Sequence, residues 1–76
     1  MAVTQHGKRV ADNTRAEMAR RGQTQTSLAI AVDMTQQALS RRLSGRTPFT
    51  IDELAKVADV LGVSVTALIG EAAVSA

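Results

Sequence analysis

Apolar side chains recur every three or four positions along most of the chain, which is the spacing that places them on one face of an α-helix. Capping and turn-forming residues interrupt this pattern, so the chain divides into short helical segments. The predicted helices cover residues 8–21, 25–32, 36–43, 51–61 and 64–69. The β-branched residues also fall at helical spacing, so we expect no strands and an all-α fold of five helices.

The same periodicity predicts which side chains form the core. The expected inward residues are Val10, Ala11, Thr14 and Met18 in the first helix, Leu28, Ala29 and Val32 in the second, Leu39 and Leu43 in the third, and Ile51, Leu54, Val57, Ala58 and Leu61 in the fourth. Because Leu39 and Leu43 are one turn apart, they fix the inward side of the third helix. Its polar residues must then lie on the outer side.

Hydroxyl side chains stand where helices are predicted to begin. Thr24 and Thr35 can each accept a hydrogen bond from a first-turn amide of the second and third helices. Thr50 and Glu53 match a capping box, in which each side chain bonds the other's backbone amide. Asp33 stands in the short turn between the second and third helices, where Asp tolerates a left-handed backbone better than most residues.

The length of 76 residues allows one small domain. We expect residues 1–7 to be a flexible arm, residues 8–70 the folded domain and residues 71–76 a flexible tail. The chain has no Cys, and His6 has no neighbours at ligand spacing, so we expect no metal site. No apolar run approaches the length of a membrane span. With Phe49 as the single aromatic residue, the chain also lacks the stacking platform of single-strand binders.

The charges are distributed unevenly along the chain. Residues 1–49 carry eight basic and three acidic side chains, whereas residues 50–76 carry one basic and four acidic ones. This asymmetry is compatible with a basic face that meets a polyanion, and equally with a solvated charge pattern that has no partner. Charge alone does not decide between the two.

The segments 25–32 and 36–43 form a helix-turn-helix candidate, because two short helices are joined by a turn of three or four residues. The second helix can enter a major groove if its outer face carries hydrogen-bonding side chains. Gln36, Gln37, Ser40 and Arg41 meet that requirement. A glutamine amide matches the edge of adenine, and an arginine fork matches the edge of guanine.

Several short motifs resemble the Cro/Xre family of lambdoid phage repressors. The motifs are Thr24-Gln25-Thr26-Ser27-Leu28-Ala29, then Asp33-Met34-Thr35-Gln36-Gln37-Ala38-Leu39-Ser40-Arg41, then Ser44-Gly45, and finally Leu61-Gly62-Val63-Ser64. They occur in the family's order and spacing, and the resemblance covers about residues 10–70. It implies a lambda-repressor-like DNA-binding domain that regulates transcription from an operator in double-stranded DNA.

The resemblance also implies roles for individual residues. The tandem Gln36 and Gln37 match base-reading positions, and Ser40 and Arg41 follow on the same face. Gln25 matches a phosphate-binding glutamine, and Gly45 matches a glycine that lets the backbone approach a phosphate. The expected phosphate-binding residues are Thr24, Gln25, Thr35, Arg42, Ser44, Gly45, Arg46 and Thr47. A homodimer is also implied, and its contact would have to use the fourth and fifth helices, including Val65, Leu68 and Ile69.

The chain departs from the family pattern at several positions. Asp33 replaces the turn glycine, Ser44 replaces a loop asparagine, and Gln23 stands where an apolar residue is usual. Met18 and Leu43 occupy the positions of an arginine–glutamate pair in the family. An apolar pair is often a neutral or stabilising replacement for a buried ion pair. We therefore expect Met18 and Leu43 to pack between the first and third helices.

Other functions remain open from the residues alone. An antitoxin or a restriction-system controller could share the fold. A helical protein-interaction module could dock through Ile69 and Val74. An enzyme is disfavoured, because the chain has no phosphate-binding glycine loop, no nucleophile motif and no convergent polar cluster. We expect no cofactor, no small-molecule substrate and no membrane partner, and a location in the cytoplasm of a bacterium or of a phage-infected host, associated with the nucleoid.

Overall fold

Five α-helices and the turns between them make up residues 5–70, the part of the chain that the computed structural model describes. The helices are α1 (Gln5–Arg20), α2 (Gln25–Ala31), α3 (Gln36–Leu43), α4 (Ile51–Leu61) and α5 (Val65–Ile69). No strand occurs within residues 5–70, so the predicted all-α fold of five helices is confirmed.

The helix boundaries differ from the prediction mainly at the start of the chain. α1 begins at Gln5, so residues 5–7 of the predicted arm are helical. These residues are polar or glycine and have no apolar periodicity by which the sequence could have included them. Residues 1–4 of the predicted arm and the predicted tail, including Val74, lie outside the described residues.

The apolar faces of the helices meet in one core. Leu28, Leu39, Val57 and Leu68 are fully buried in it, and each comes from a different helix. Thr14 on α1 is also fully buried, and its hydroxyl donates to the Val10 carbonyl oxygen at 2.7 Å. The hydroxyl of Thr14 therefore has a partner inside the apolar interior, where an unpaired hydroxyl is costly.

Met18 and Leu43 are both buried in this core, as predicted. Both also line an open depression of about 250 Å³, where α1 packs against α3. The expected apolar packing between the first and third helices is therefore present in the structure.

The prediction for Ile51 was wrong, because its side chain is 87% exposed. Ile51 lies three residues before Leu54 and shares its helical stripe, but it is the first residue of α4. Periodicity assigns a side chain to a face and does not tell whether a neighbouring helix extends far enough to cover it. The stripe of α4 is buried from Leu54 to Leu61 and not in its first turn.

The predicted helix caps are all present. The hydroxyl oxygens of Thr24, Thr35 and Thr50 accept hydrogen bonds from the third amide of α2, α3 and α4, at 3.0, 3.0 and 3.1 Å respectively. The Glu53 side chain returns a bond to the Thr50 amide at 2.9 Å, which completes the capping box. Local sequence therefore determines where α2, α3 and α4 begin.

Candidate nucleic-acid interface

A short turn, residues 32–35, joins α2 to α3. The Met34 amide donates to the Ala29 carbonyl oxygen at 2.9 Å, and the Asp33 amide donates to Ile30 at 3.3 Å, so the turn closes onto the end of α2. Asp33 has a φ of 59°, in the left-handed region. This confirms the expectation that Asp33 takes the conformation that glycine adopts more easily. Thr35 then caps α3 directly.

α3 has one buried side and one polar exposed side. Leu39 and Leu43 are buried in the core. The residues predicted to read bases are all exposed, namely Gln36, Gln37, Ser40 and Arg41. The structure therefore brings these four side chains together on the side of α3 that faces away from the core.

These four residues share an open depression of about 600 Å³ with Gln25 of α2 and Arg46 of the following loop. Gln25 stands at the first position of α2, directly after its cap Thr24. Two residues predicted to bind phosphate therefore flank the predicted base-reading surface. A polar, concave surface with cationic Arg41 and Arg46 side chains has the chemistry to accept a polyanion.

The loop after α3 folds back on the helix. Gly45 is buried and has a φ of 82°, in the left-handed region that favours glycine. The amides of Gly45 and Thr47 donate to the carbonyl oxygens of Arg42 and Arg41, at 3.1 and 3.3 Å. Gly45 and Thr47 were predicted to bind phosphate, but their amides have hydrogen-bond partners within the protein. Arg46 is exposed in the same loop.

Ser44 has a capping function in this loop. Its hydroxyl donates to the Arg41 carbonyl oxygen at 3.0 Å and accepts from the Arg46 amide at 3.4 Å. The Ser44 amide donates to the carbonyl of Ser40 at 2.9 Å. Carbonyls at the end of a helix have no partner within the helix, and here the loop supplies partners for several of them.

Arg42 is directed toward α4. Its Nε and Nη2 donate to Oε1 and Oε2 of Glu53 at 3.0 and 3.1 Å, and both side chains are mostly buried. The hydrogen bond from Arg42 lowers the pKa of the Glu53 carboxyl; bonds from Thr50 act in the same direction, and partial burial opposes them. The expected phosphate contact of Arg42 therefore competes with an existing internal partner.

Sequence reasoning missed this pairing because Glu53 was already assigned to the capping box. The same Oε1 atom accepts from both the Thr50 amide and Arg42 Nε. No short-range spacing signals a pair separated by eleven positions in the chain. The one available signal was that Arg42 stands next to buried Leu43, so its stem could pack against the fold.

Arg15 of α1 also reaches α3, in a contact that sequence reasoning did not identify. Its Nη1 donates to the Leu43 carbonyl oxygen at 2.8 Å, and its Nη2 contacts the Asp12 carboxylate. Leu43 is the last residue of α3. The guanidinium therefore lies at the negative end of the helix dipole, where a cation is favourable.

Within residues 5–70, no helix is long and apolar enough to cross a membrane. The same part of the chain has no group of three side chains suited to hold a metal ion.

Two short helices, a tight turn and a polar outer face on the second helix define a helix-turn-helix domain, the class of fold that presents a recognition helix to DNA. A family profile described as helix-turn-helix matches residues 15–68, and the chain belongs to that family. The resemblance to Cro/Xre-type proteins is thus confirmed, and the chain is a DNA-binding transcriptional regulator rather than an enzyme.

Solved structures with the same fold include two of the clp gene regulator ClgR from Corynebacterium glutamicum. The first is 30% identical in sequence, with a TM-score of 0.85, over 97% of this chain and 79% of the other. The second is also 30% identical, with a TM-score of 0.83, over 95% of this chain and 94% of the other. A comparison with curated protein sequences gave no match.

Proposed function

We propose that the protein is a repressor of the phage or prophage type, or a Cro-like regulator, that reads a short operator through α3. The observation that carries this proposal is that Gln36, Gln37, Ser40 and Arg41 are all exposed on a helix whose Leu39 and Leu43 are buried, with Gln37 and Arg41 on the side opposite the leucines. With its leucines in the core, α3 can insert its polar side into a major groove.

Gln37 and Arg41 carry the sequence preference in this proposal. They are four positions apart, so their side chains lie one above the other along the groove. A glutamine amide can bond both N6 and N7 of adenine, and a guanidinium can bond both O6 and N7 of guanine. Gln36 and Ser40 add single hydrogen bonds on the same face.

Phosphate contacts on either side of α3 hold the domain on the duplex. Gln25 and Arg46 are exposed at the rim of the depression and are the main candidates. The hydroxyl of exposed Thr35 accepts the Ala38 amide and can donate a weaker bond to phosphate. We assign smaller roles to Thr24, Arg42, Ser44, Gly45 and Thr47, because their hydroxyl, guanidinium or amide donors already bond within the protein.

A homodimer on a palindromic site would place two recognition helices about one helical turn of DNA apart, roughly 34 Å. Of the residues expected at a self-contact, Leu68 is fully buried and closes the core, whereas Val65 is 37% exposed. A contact through α5 would therefore have to use Val65 and the exposed part of Ile69.

A regulator that binds the chromosome acts in the cytoplasm, at the nucleoid.

The test begins with selection of bound duplexes from a random-sequence pool. Affinity for the selected site is then measured for Gln37→Ala and Arg41→Ala, with Lys56→Ala as control, since Lys56 is an exposed cation on α4. Each α3 variant should lose roughly 1–3 kcal/mol at the selected site and tolerate more bases there. If both variants bind the selected site like the unmodified protein, α3 is not the reader.

Repression is tested separately from binding. A reporter promoter that carries the selected site between its polymerase contacts should be silenced by the unmodified protein and not by Arg41→Ala. Sedimentation with and without a palindromic duplex then reports whether two copies bind one site. Activation of the reporter would contradict repression. Binding of a single protein copy to the palindromic duplex would contradict the dimer.

A further inference from the structure

Arg15 of α1 bonds the last residue of α3. Arg15 comes from α1 and binds the main chain of α3, whereas Glu53 of α4 binds a side chain of α3. Its bond to the Leu43 carbonyl joins residues 28 positions apart in the chain. The last turn of α3 is therefore attached to the body of the domain through its backbone.

The other carbonyls at this end of α3 bond locally. Those of Ser40, Arg41 and Arg42 accept from amides of the following loop. Such bonds fix the shape of the loop, but they do not determine where the helix end lies relative to α1. The Arg15 bond does, because its donor belongs to a different helix.

The guanidinium of Arg15 is itself held in place. Its Nη2 contacts the Asp12 carboxylate one turn earlier on α1, and that carboxylate also lies 3.7 Å from Lys8 Nζ. A planar fork can direct one nitrogen to the carboxylate and the other to the carbonyl at the same time. About half of the Arg15 side chain is exposed, so its charge is not buried without compensation.

Next to this bond lies an open depression of about 250 Å³, which is lined by Arg15, Met18, Gln25, Ser40, Leu43 and Ser44. The last turn of α3 is thus held on this side by the core packing of Met18 and Leu43 and, beyond it, borders open space. The bond at Leu43 adds a directional constraint that apolar packing alone does not supply. Base reading needs side chains placed to within about 0.5 Å, so a loose helix end would degrade it.

We propose that Arg15 is a positioning residue for sequence recognition: it fixes the end of α3 so that Gln37 and Arg41 meet base edges in register. This inference rests on the proposed function of α3. It assigns Arg15 an effect on the preference for the operator over other DNA, and not a phosphate contact.

The experiment compares Arg15→Met and Arg15→Lys with the control Arg20→Met. Arg20 is exposed on the same helix and pairs with Glu17 within α1, so its replacement removes the same charge without touching α3. Affinity is measured for the selected operator and for a random duplex, each over a range of salt concentrations. Measurements are made well below the unfolding midpoint of every variant.

Arg15→Met should weaken operator binding about tenfold and random-duplex binding less than about threefold, with the salt dependence on the operator unchanged. Arg15→Lys retains the charge but not the fork, so the operator preference should fall by a smaller factor and random binding should not change. Arg20→Met should leave the preference intact. An equal loss on both duplexes with a shallower salt dependence would make Arg15 a phosphate ligand and overturn the proposal. So would an unchanged preference in both Arg15 variants.

Amide hydrogen exchange of the DNA-free protein separates this inference from the proposed function. Without Arg15, the amides of Ser44 and Thr47, which bond the end of α3, should exchange faster relative to those of α4. If the unmodified protein selects no operator, the proposed function fails, and exchange still shows whether Arg15 holds α3. If exchange is unchanged in Arg15→Met, the positioning role fails even where an operator exists.

Discussion

Arg42 of α3 and Glu53 of α4 form a two-point ion pair, with Nε to Oε1 at 3.0 Å and Nη2 to Oε2 at 3.1 Å. Glu53 also caps α4 through the Thr50 amide. One carboxylate thus starts α4 and attaches the last turn of α3 to it. A residue adjacent to the proposed DNA-reading face therefore contributes to the architecture of the domain.

Glu53→Gln should destabilise the domain by about 1 kcal/mol at neutral pH, and Glu53→Ala by about 2 kcal/mol, because the amide preserves the capping box and alanine removes both functions. Chemical unfolding of the three proteins at pH 7 measures the difference. Equal stabilities of the Gln variant and the unmodified protein would show that the ion pair adds nothing.

Acid should remove this contribution. Arg42 lowers the pKa of folded Glu53 below its ordinary value of 4.5. The stabilisation is therefore fully present above pH 4.5 and is lost as the pH falls through the lowered pKa of the folded state. Unfolding of the unmodified protein and of Glu53→Gln at pH 7 and at pH 3 should give stabilities that converge at the lower pH. A difference that grows on acidification would reverse the sign of this linkage.

Alanine substitutions of Arg42 and Arg46 should affect different properties, namely stability and DNA binding. Arg46→Ala should weaken binding to all sequences and reduce the slope of log affinity against log salt by about 0.9, the value expected for one phosphate contact. Arg42→Ala should mainly lower stability, because it removes the cation that pairs with the largely buried Glu53 carboxylate. Binding titrations at several salt concentrations, together with thermal unfolding, distinguish the two. A stability loss confined to Arg46→Ala would contradict the assignment.

The local parts of this fold were predictable from sequence. Thr24, Thr35 and Thr50 cap the helices that they precede, because capping depends on residues within one turn. The exposed face of α3 was equally predictable, since Leu39 and Leu43 fix its rotation.

Contacts between distant segments were not predictable in the same way. In the sequence, Arg15 and Arg42 look like any other basic residue, including Arg41 and Arg46. Spacing could not show that Arg15 and Arg42 form hydrogen bonds inside the domain. The exposure of Ile51 had the same origin, because the packing of one helix against another decides which part of an apolar stripe is covered. These features depend on tertiary structure, and local patterns in a single sequence do not report it.

The first turn of α4 provides a test of that distinction. Ile51→Ala should change stability by less than about 0.5 kcal/mol, since the side chain is exposed. Leu61→Ala, on the buried part of the same helix, should cost about 2–5 kcal/mol. Denaturant unfolding compares the two. A loss of several kcal/mol for Ile51→Ala would mean that Ile51 is covered, for example in a dimer, and repeating the measurement at lower protein concentration would then reduce the loss.

The turn between α2 and α3 holds Asp33 in a strained backbone conformation, and a glycine at this position would not be strained. A residue other than glycine in the left-handed region costs of order 1 kcal/mol, and Asp33 has a φ of 59°. Asp33→Gly should therefore stabilise the domain by about 0.5 kcal/mol after the greater entropy of glycine in the unfolded chain is included, whereas Asp33→Val should destabilise it by at least about 1 kcal/mol. Thermal unfolding of the three proteins tests both signs. If glycine lowers the unfolding midpoint, Asp33 must contribute an interaction in the turn that outweighs its backbone strain.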